Sequence, residues 1–224
     1  MSVWIKICGN TSLADARLAV DAGADAAGFV FAPSPRQVTV AEAISIISHL
    51  PATVEKIGVF VNASLAEIYS SVRTSGLTGV QLHFDAASEM PAKLRERLGP
   101  ALRILRVLHY EPGPAKQLQA KLAEYAGNPD IDAVLVDSRT AAAAGGTGVV
   151  FDWAKARKTI FSSAGRMKLI AAGGLNPANV EEAIKVLEPW GVDVVSGVEA
   201  APGRKDPDKV REFVKWARAA EAKE

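Results

Sequence analysis

The chain has 224 residues, 49% of them hydrophobic, with 26 basic side chains against 25 acidic ones. That balance, with no long run of either sign, gives no electrostatic case for nucleic acid or a membrane surface as partner. No basic segment followed by a long apolar stretch opens the sequence, and no apolar run reaches transmembrane length, so the expected location is cytoplasmic. A single cysteine, Cys8, excludes an intrachain disulfide and a cysteine-based zinc cluster. The sequons Asn10-Thr11-Ser12 and Asn62-Ala63-Ser64 read as accidental without a secretion signal.

In chain order, short apolar runs predict strands at Val3–Ile7, Asp25–Phe31, Lys56–Val61, Gly79–Leu82, Arg103–His109, Ala133–Asp137, Lys168–Ala172 and Val192–Ser196. Most lack two-residue alternation, as expected of parallel strands covered on both faces. Between them the spacing is helical. Val40, Ala43, Ile44 and Ile47 form one stripe, and Val180, Ala183, Ile184 and Leu187 another. Val210, Phe213, Val214 and Ala217 form a third. Capping boxes are predicted at Ser12…Asp15, Thr39…Glu42 and Ser64…Glu67, with proline in the first helical turn at Asn176-Pro177 and Asp206-Pro207. Strand starts recur about every 27 residues, the size of one βα unit. No linker divides the chain, so residues 1–224 are expected to form one α/β domain, a (β/α)8 TIM barrel. An open doubly wound sheet of eight strands is the alternative that counting leaves standing.

Catalytic groups of a barrel come from the carboxyl ends of its strands. Cys8 follows the first strand directly: it is either a small buried hydrophobe or a base. A base would need positive potential nearby, because a free thiol titrates at about 8.5. Asp137 closes the run Ala133-Val134-Leu135-Val136, as a partner of the next loop or as an acid with a raised pKa. Strands one and six would bring the two to a common ligand from different sides. Gly173-Gly174 follows strand seven and Gly197 strand eight, either as plain turns or as phosphate loops. Gly145-Gly146-Thr147-Gly148 is neither a P-loop nor a Rossmann fingerprint, and reads as a cover for the acid or a connection. Arg36 either grips a carboxylate bidentately or is a solvated surface residue. His49, His83 and His109 lack metal-ligand spacing, so no metal site is expected.

Lys6-Ile7-Cys8-Gly9, Gly28-Phe29-Val30-Phe31, Ser34-Pro35-Arg36, Gly58-Val59-Phe60-Val61 and Gln81-Leu82-His83 together resemble the phosphoribosylanthranilate isomerases. Leu135-Val136-Asp137, Gly145 to Gly148, Phe151-Asp152-Trp153, Ala172 to Leu175 and Ser196-Gly197-Val198-Glu199 extend the resemblance, in family order, over nearly the whole chain. It implies a cofactor-independent Amadori rearrangement of N-(5-phosphoribosyl)anthranilate in tryptophan biosynthesis. On this resemblance Asp137 is the acid, Cys8 the base, and Arg36 the partner of the anthranilate carboxylate. Gly173, Gly174, Ser196 and Gly197 hold the phosphate, and Gln81 and His83 complete the substrate-binding set. The implied partner is a small phosphosugar, and the chain is a monomer or a homodimer.

Two positions depart from the family pattern. Phe84 stands where glycine usually follows Gln81-Leu82-His83, and either narrows the mouth or turns outward. Val195 replaces the first of two serines before Gly197, removing one hydroxyl donor. Rival readings are the histidine-pathway aminoaldose isomerase, which has an aspartate where this chain has Cys8, and a phosphosugar-binding barrel without catalysis. Indole-glycerol-phosphate synthase fits less well, because Lys56 opens strand three at the end opposite the mouth.

Overall fold

The first strand, Trp-Ile-Lys-Ile, is buried at all four positions, so both of its faces are covered. The computed structural model describes residues 2–110, 115–137 and 152–220. Strands and helices alternate through them: β1 (Trp4–Ile7), α1 (Leu13–Asp21), β2 (Ala26–Val30), α2 (Val40–Ile47), β3 (Glu55–Phe60), α3 (Leu65–Ser75), β4 (Gly79–Leu82) and α4 (Met90–Leu98). β5 (Arg103–His109), α5 (Ala115–Ala126), β6 (Ala133–Asp137), α6 (Trp153–Thr159), β7 (Lys168–Ala172), α7 (Val180–Leu187), β8 (Gly191–Val194) and α8 (Pro207–Ala219) follow. Between β8 and α8 a small antiparallel pair forms from β9 (Glu199–Ala201) and β10 (Arg204–Lys205).

β1 to β8 pair in order, and β8 pairs back with β1 from Trp4↔Gly191 to Ile7↔Val194, closing a parallel barrel. This (β/α)8 closure removes the open-sheet alternative. Inward residues including Trp4, Ile57, Leu105, Leu135 and Ile170 fill the interior, and Trp4 stacks on Trp190 at 5.2 Å near the amino ends of the strands. Outward residues such as Ile5 and Ile7 pack with Val210 and Phe213 of α8. Each such fully buried side chain stabilises by about 1.5–3 kcal/mol.

The capping boxes at Thr39–Glu42 and Ser64–Glu67 are both complete, and each cap is worth about 1 kcal/mol. At α1 only half of the predicted box forms: Ser12 accepts from the Asp15 amide, whereas the Asp15 carboxylate turns to the Lys205 amide at 3.3 Å. The α2 stripe is Ala43, Ile46 and Ile47, with Ile44 38% exposed, because the helix rotates Ile46 toward the sheet instead. The α7 and α8 stripes are buried as predicted, and Pro207 stands at the start of α8 behind its cap Asp206. Pro177 does not open a helix. Asn176 turns the chain by accepting from the Ala178 amide, and α7 starts only after Asn179.

β8 is shorter than predicted. Val195 leaves the extended conformation (φ −123°, ψ −87°), so Ser196 belongs to a 3₁₀ turn, Ser196–Val198, rather than to the strand. The Gly145–Gly148 loop and Phe151 lie outside the described residues, whereas Asp152 caps α6 as expected by accepting from the Lys155 amide.

Candidate active site

Parallel closure puts every strand's carboxyl end on one rim, and a cavity of about 240 Å³ opens there. Cys8 of the β1 end and Asp137 of the β6 end both line it. So do Arg36, Gln81 and His83, and so do Gly173, Gly174, Ser196 and Gly197. Nine residues chosen from sequence therefore share one concavity, built entirely within one chain.

Cys8 is 3% exposed, and its amide donates to the Val194 carbonyl at 2.9 Å, fixing the β1–β8 seam. Space for the sulfur depends on Gly28 of β2, where a Cβ would lie 2.5 Å from Sγ. One residue pair further into the barrel, Lys6 is fully buried and donates from Nζ to Asp193 Oδ1 at 2.7 Å and Gln81 Oε1 at 2.8 Å. Burial opposes the Lys6 charge, but Asp193 and Cys8 outweigh it and hold the ammonium above its ordinary pKa. On the other side, Lys205 Nζ donates to the Cys8 carbonyl at 2.6 Å. Burial pushes Lys205 below its ordinary pKa.

The cations expected beside Cys8 are thus present, yet the thiol does not move down. Burial pushes it up, Lys6 and Lys205 oppose that shift, and Asp193 adds to it. Desolvation wins because the sulfur is almost sealed by β2 and β8. Sequence reasoning found the cysteine but not the two lysines or Asp193. The only local signal was Lys6 itself, a charge inside an apolar strand.

Arg36 is not a solvated surface arginine. Its Nε and Nη2 meet Glu199 Oε1 and Oε2 at 2.8 and 2.6 Å, and the Glu199 pair raises its pKa further. Burial works against the Glu199 charge, but Arg36, Lys205 and the Gly203 amide hold its carboxyl below the ordinary value. One edge of the guanidinium is committed to Glu199, which leaves the Nη1/Nη2 edge for a ligand.

Asp137 is 6% exposed, and its cavity neighbour His83 lies near Gln81, with Nδ1 3.4 Å from Nε2. Burial lowers the His83 pKa, against the pull of Asp137. His109, at the end of β5, faces His83 with ring centroids 5.1 Å apart. Ligand atoms of His83, His109 and Asp137 all lie within 4.8 Å of one another. The absence of metal-ligand spacing in the sequence therefore did not exclude a possible ligand cluster, because β4, β5 and β6 are neighbours in the barrel.

Beside Asp137, at the end of the neighbouring strand β7, Gly173 and Gly174 take left-handed conformations (φ 86° and 68°) that favour glycine. Asn179 Nδ2 holds this hairpin at the Gly174 carbonyl, 3.1 Å away. A Cβ at Gly197 would stand 1.9 Å from the Leu175 carbonyl oxygen, so the two glycine loops fit together only without a side chain there. Phe84 packs against the hydrophobic cluster between the strands and helices α2 to α4 and is not among the residues lining the cavity. Val195 lines the cavity, and its carbonyl accepts from Lys205 at 3.3 Å. Lys56 is bonded to the Pro51 carbonyl before β3, away from this rim.

A thiol, a carboxyl group and two glycine loops gathered at one cavity on the carboxyl rim of a closed barrel are the layout of a (β/α)8 enzyme. The family model described as N-(5'-phosphoribosyl)anthranilate (PRA) isomerase matches residues 5–216. The N-(5'-phosphoribosyl)anthranilate isomerase of Pelobacter propionicus is 43% identical over 217 residues, covering 96% of each chain. Among solved structures, the phosphoribosyl anthranilate isomerase of Thermotoga maritima superposes with a TM-score of 0.84 at 37% identity, over 97% of this chain and 99% of the other. A second isomerase structure, in complex with reduced 1-(o-carboxyphenylamino)-1-deoxyribulose 5-phosphate, gives 0.81 at 34% identity, with the same coverage. The chain belongs to the N-(5'-phosphoribosyl)anthranilate isomerase family.

Proposed function

We propose that this cavity converts N-(5'-phosphoribosyl)anthranilate to 1-(2-carboxyphenylamino)-1-deoxyribulose 5-phosphate, in tryptophan biosynthesis, with Asp137 as acid and Cys8 as base. Membership of the isomerase family supports the reaction. The residue roles rest on one observation: Cys8 and Asp137 reach a single cavity from the ends of β1 and β6.

Asp137 protonates the furanose ring oxygen, and the bond from that oxygen to C1′ breaks, leaving a protonated imine. The Cys8 thiolate then takes the C2′ proton, and the freed electron pair gives an enolamine that tautomerises to the ketone. Each assisted transfer contributes about 10²–10⁴-fold. Arg36, aligned by Glu199, meets the anthranilate carboxylate with its remaining edge. Gly173, Gly174, Ser196 and Gly197 surround the phosphate, while Gln81 and His83 flank the sugar. Residues 1–224 act as one catalytic domain without a cofactor, in the cytoplasm, as monomer or homodimer; no described helix is long and apolar enough to cross a membrane.

Fluorescence of phosphoribosylanthranilate reports its disappearance directly. Cys8→Ala and Asp137→Asn are expected to lower kcat by about 10²-fold or more with the fold retained. Near-normal turnover by both would refute the assignment. The histidine-pathway aminoaldose, run in parallel, should turn over poorly; equal turnover would favour the rival isomerase.

A further inference from the structure

We propose that His83, His109 and Asp137 bind a divalent transition-metal ion of the zinc class, and that the occupied enzyme is inactive. The three side chains come from the ends of adjacent strands β4, β5 and β6, and His109 and Asp137 are direct register partners. Two imidazoles and one carboxylate are a ligand set that suits zinc, cobalt or nickel, with a fourth position left for water. Magnesium and calcium, which favour all-oxygen shells, fit it poorly.

The ligand atoms lie within 4.8 Å of one another. A tetrahedral ion with bonds of about 2.0–2.1 Å needs its ligands roughly 3.4 Å apart. Closing the widest pair takes a shift of about 1.4 Å on that geometry. Neither histidine is fully buried, so the imidazoles have room to adjust; His109 has the most, because it is exposed at the strand end and does not line the substrate cavity. Asp137, by contrast, is buried and fixed at the end of β6. Lys6, the cation deeper in the barrel, is already matched by Asp193 at 2.7 Å. An ion held here takes up the carboxylate oxygen that the proposed acid needs. The inhibition half of the inference rests on that reading of Asp137; the binding half does not.

The test uses the full chain, first freed of metal and titrated with Co²⁺. Wild type and Cys8→Ala should show the same visible d–d absorption, with no thiolate-to-cobalt charge-transfer band, and Zn²⁺ should displace the cobalt. His109→Ala should bind cobalt at least about tenfold more weakly, since even the outer-shell partners of a metal site are worth about 10–100-fold in affinity. In the isomerase assay Zn²⁺ should stop the wild type, EDTA should restore it, and His109→Ala should keep its turnover yet resist zinc. No cobalt spectrum, unchanged binding by His109→Ala, or a charge-transfer band lost in Cys8→Ala overturns the site. If cobalt binds as expected but Asp137→Asn turns over normally, the acid assignment fails and the metal site stands.

Discussion

Arg36 and Glu199, 163 residues apart, meet through two parallel hydrogen bonds of 2.8 and 2.6 Å, so a buried acid aims the arginine at the cavity. Gly9 lets the pair settle, since a Cβ there would lie 2.9 Å from Arg36 Cδ. The arginine is thereby pre-organised, and the cost of fixing its long side chain is met in folding rather than in ligand binding.

Glu199→Gln should therefore act on binding more than on chemistry. KM for phosphoribosylanthranilate is expected to rise about tenfold, the equivalent of one charge-assisted hydrogen bond, while kcat changes little. Arg36→Lys, which has no planar fork, should do the same. Steady-state kinetics separate the two constants; a fall in kcat at unchanged KM would contradict the positioning role.

The same carboxylate makes a pH prediction. Its folded pKa is depressed, so its stabilisation is complete above the ordinary glutamate value of about 4.3 and is lost as pH falls through the lower folded value. Melting temperatures taken across acid pH should decline less steeply in Glu199→Gln than in wild type. Parallel curves would show that Glu199 carries none of the acid sensitivity.

Lys6 makes a second one. It is among the groups that lower the Cys8 pKa against burial, so its removal should push the thiol still higher. In Lys6→Met the acidic limb of the kcat/KM profile should move to higher pH, and iodoacetamide should alkylate Cys8 more slowly at fixed pH. Superimposable profiles from a folded variant would exclude this effect. The variant should also melt earlier below the ordinary lysine pKa, where the raised Lys6 value makes its pairing with Asp193 fully stabilising; that contribution disappears as pH climbs through the folded value.

Gly28→Ala tests the space around the sulfur. The added methyl would stand 2.5 Å from Sγ and 3.0 Å from the Cys8 Cα, which is backbone and yields little. Overpacking of this kind destabilises by about 1–3 kcal/mol. Turnover should fall further than stability does, by about 10²-fold or more, as the displaced Cys8, the proposed base, loses its geometry. Calorimetry and the fluorescence assay, run on one preparation, compare the two effects.

The order of elements was legible in the sequence because its causes are local. Apolar runs of four to seven residues, helical stripes, and caps such as Thr39–Glu42 each depend on neighbours a few positions away. Cys8, Asp137 and the glycines after strands seven and eight could be picked out because barrel chemistry gathers at strand ends. Local signals failed where a residue answers to a distant partner. Ile44 faces outward, Pro177 precedes its helix by a turn, and Val195 breaks β8 as its carbonyl turns to Lys205.

The sequence by itself determined eight βα units and the chemical groups at their ends. Only the tertiary structure decided that the sheet closes through β1 and β8, that Lys6 meets Asp193 across 187 residues, and that two histidines join one aspartate. The reason is physical: propensity and periodicity act over one or two turns, whereas closure depends on the accumulated twist and register of all eight strands together.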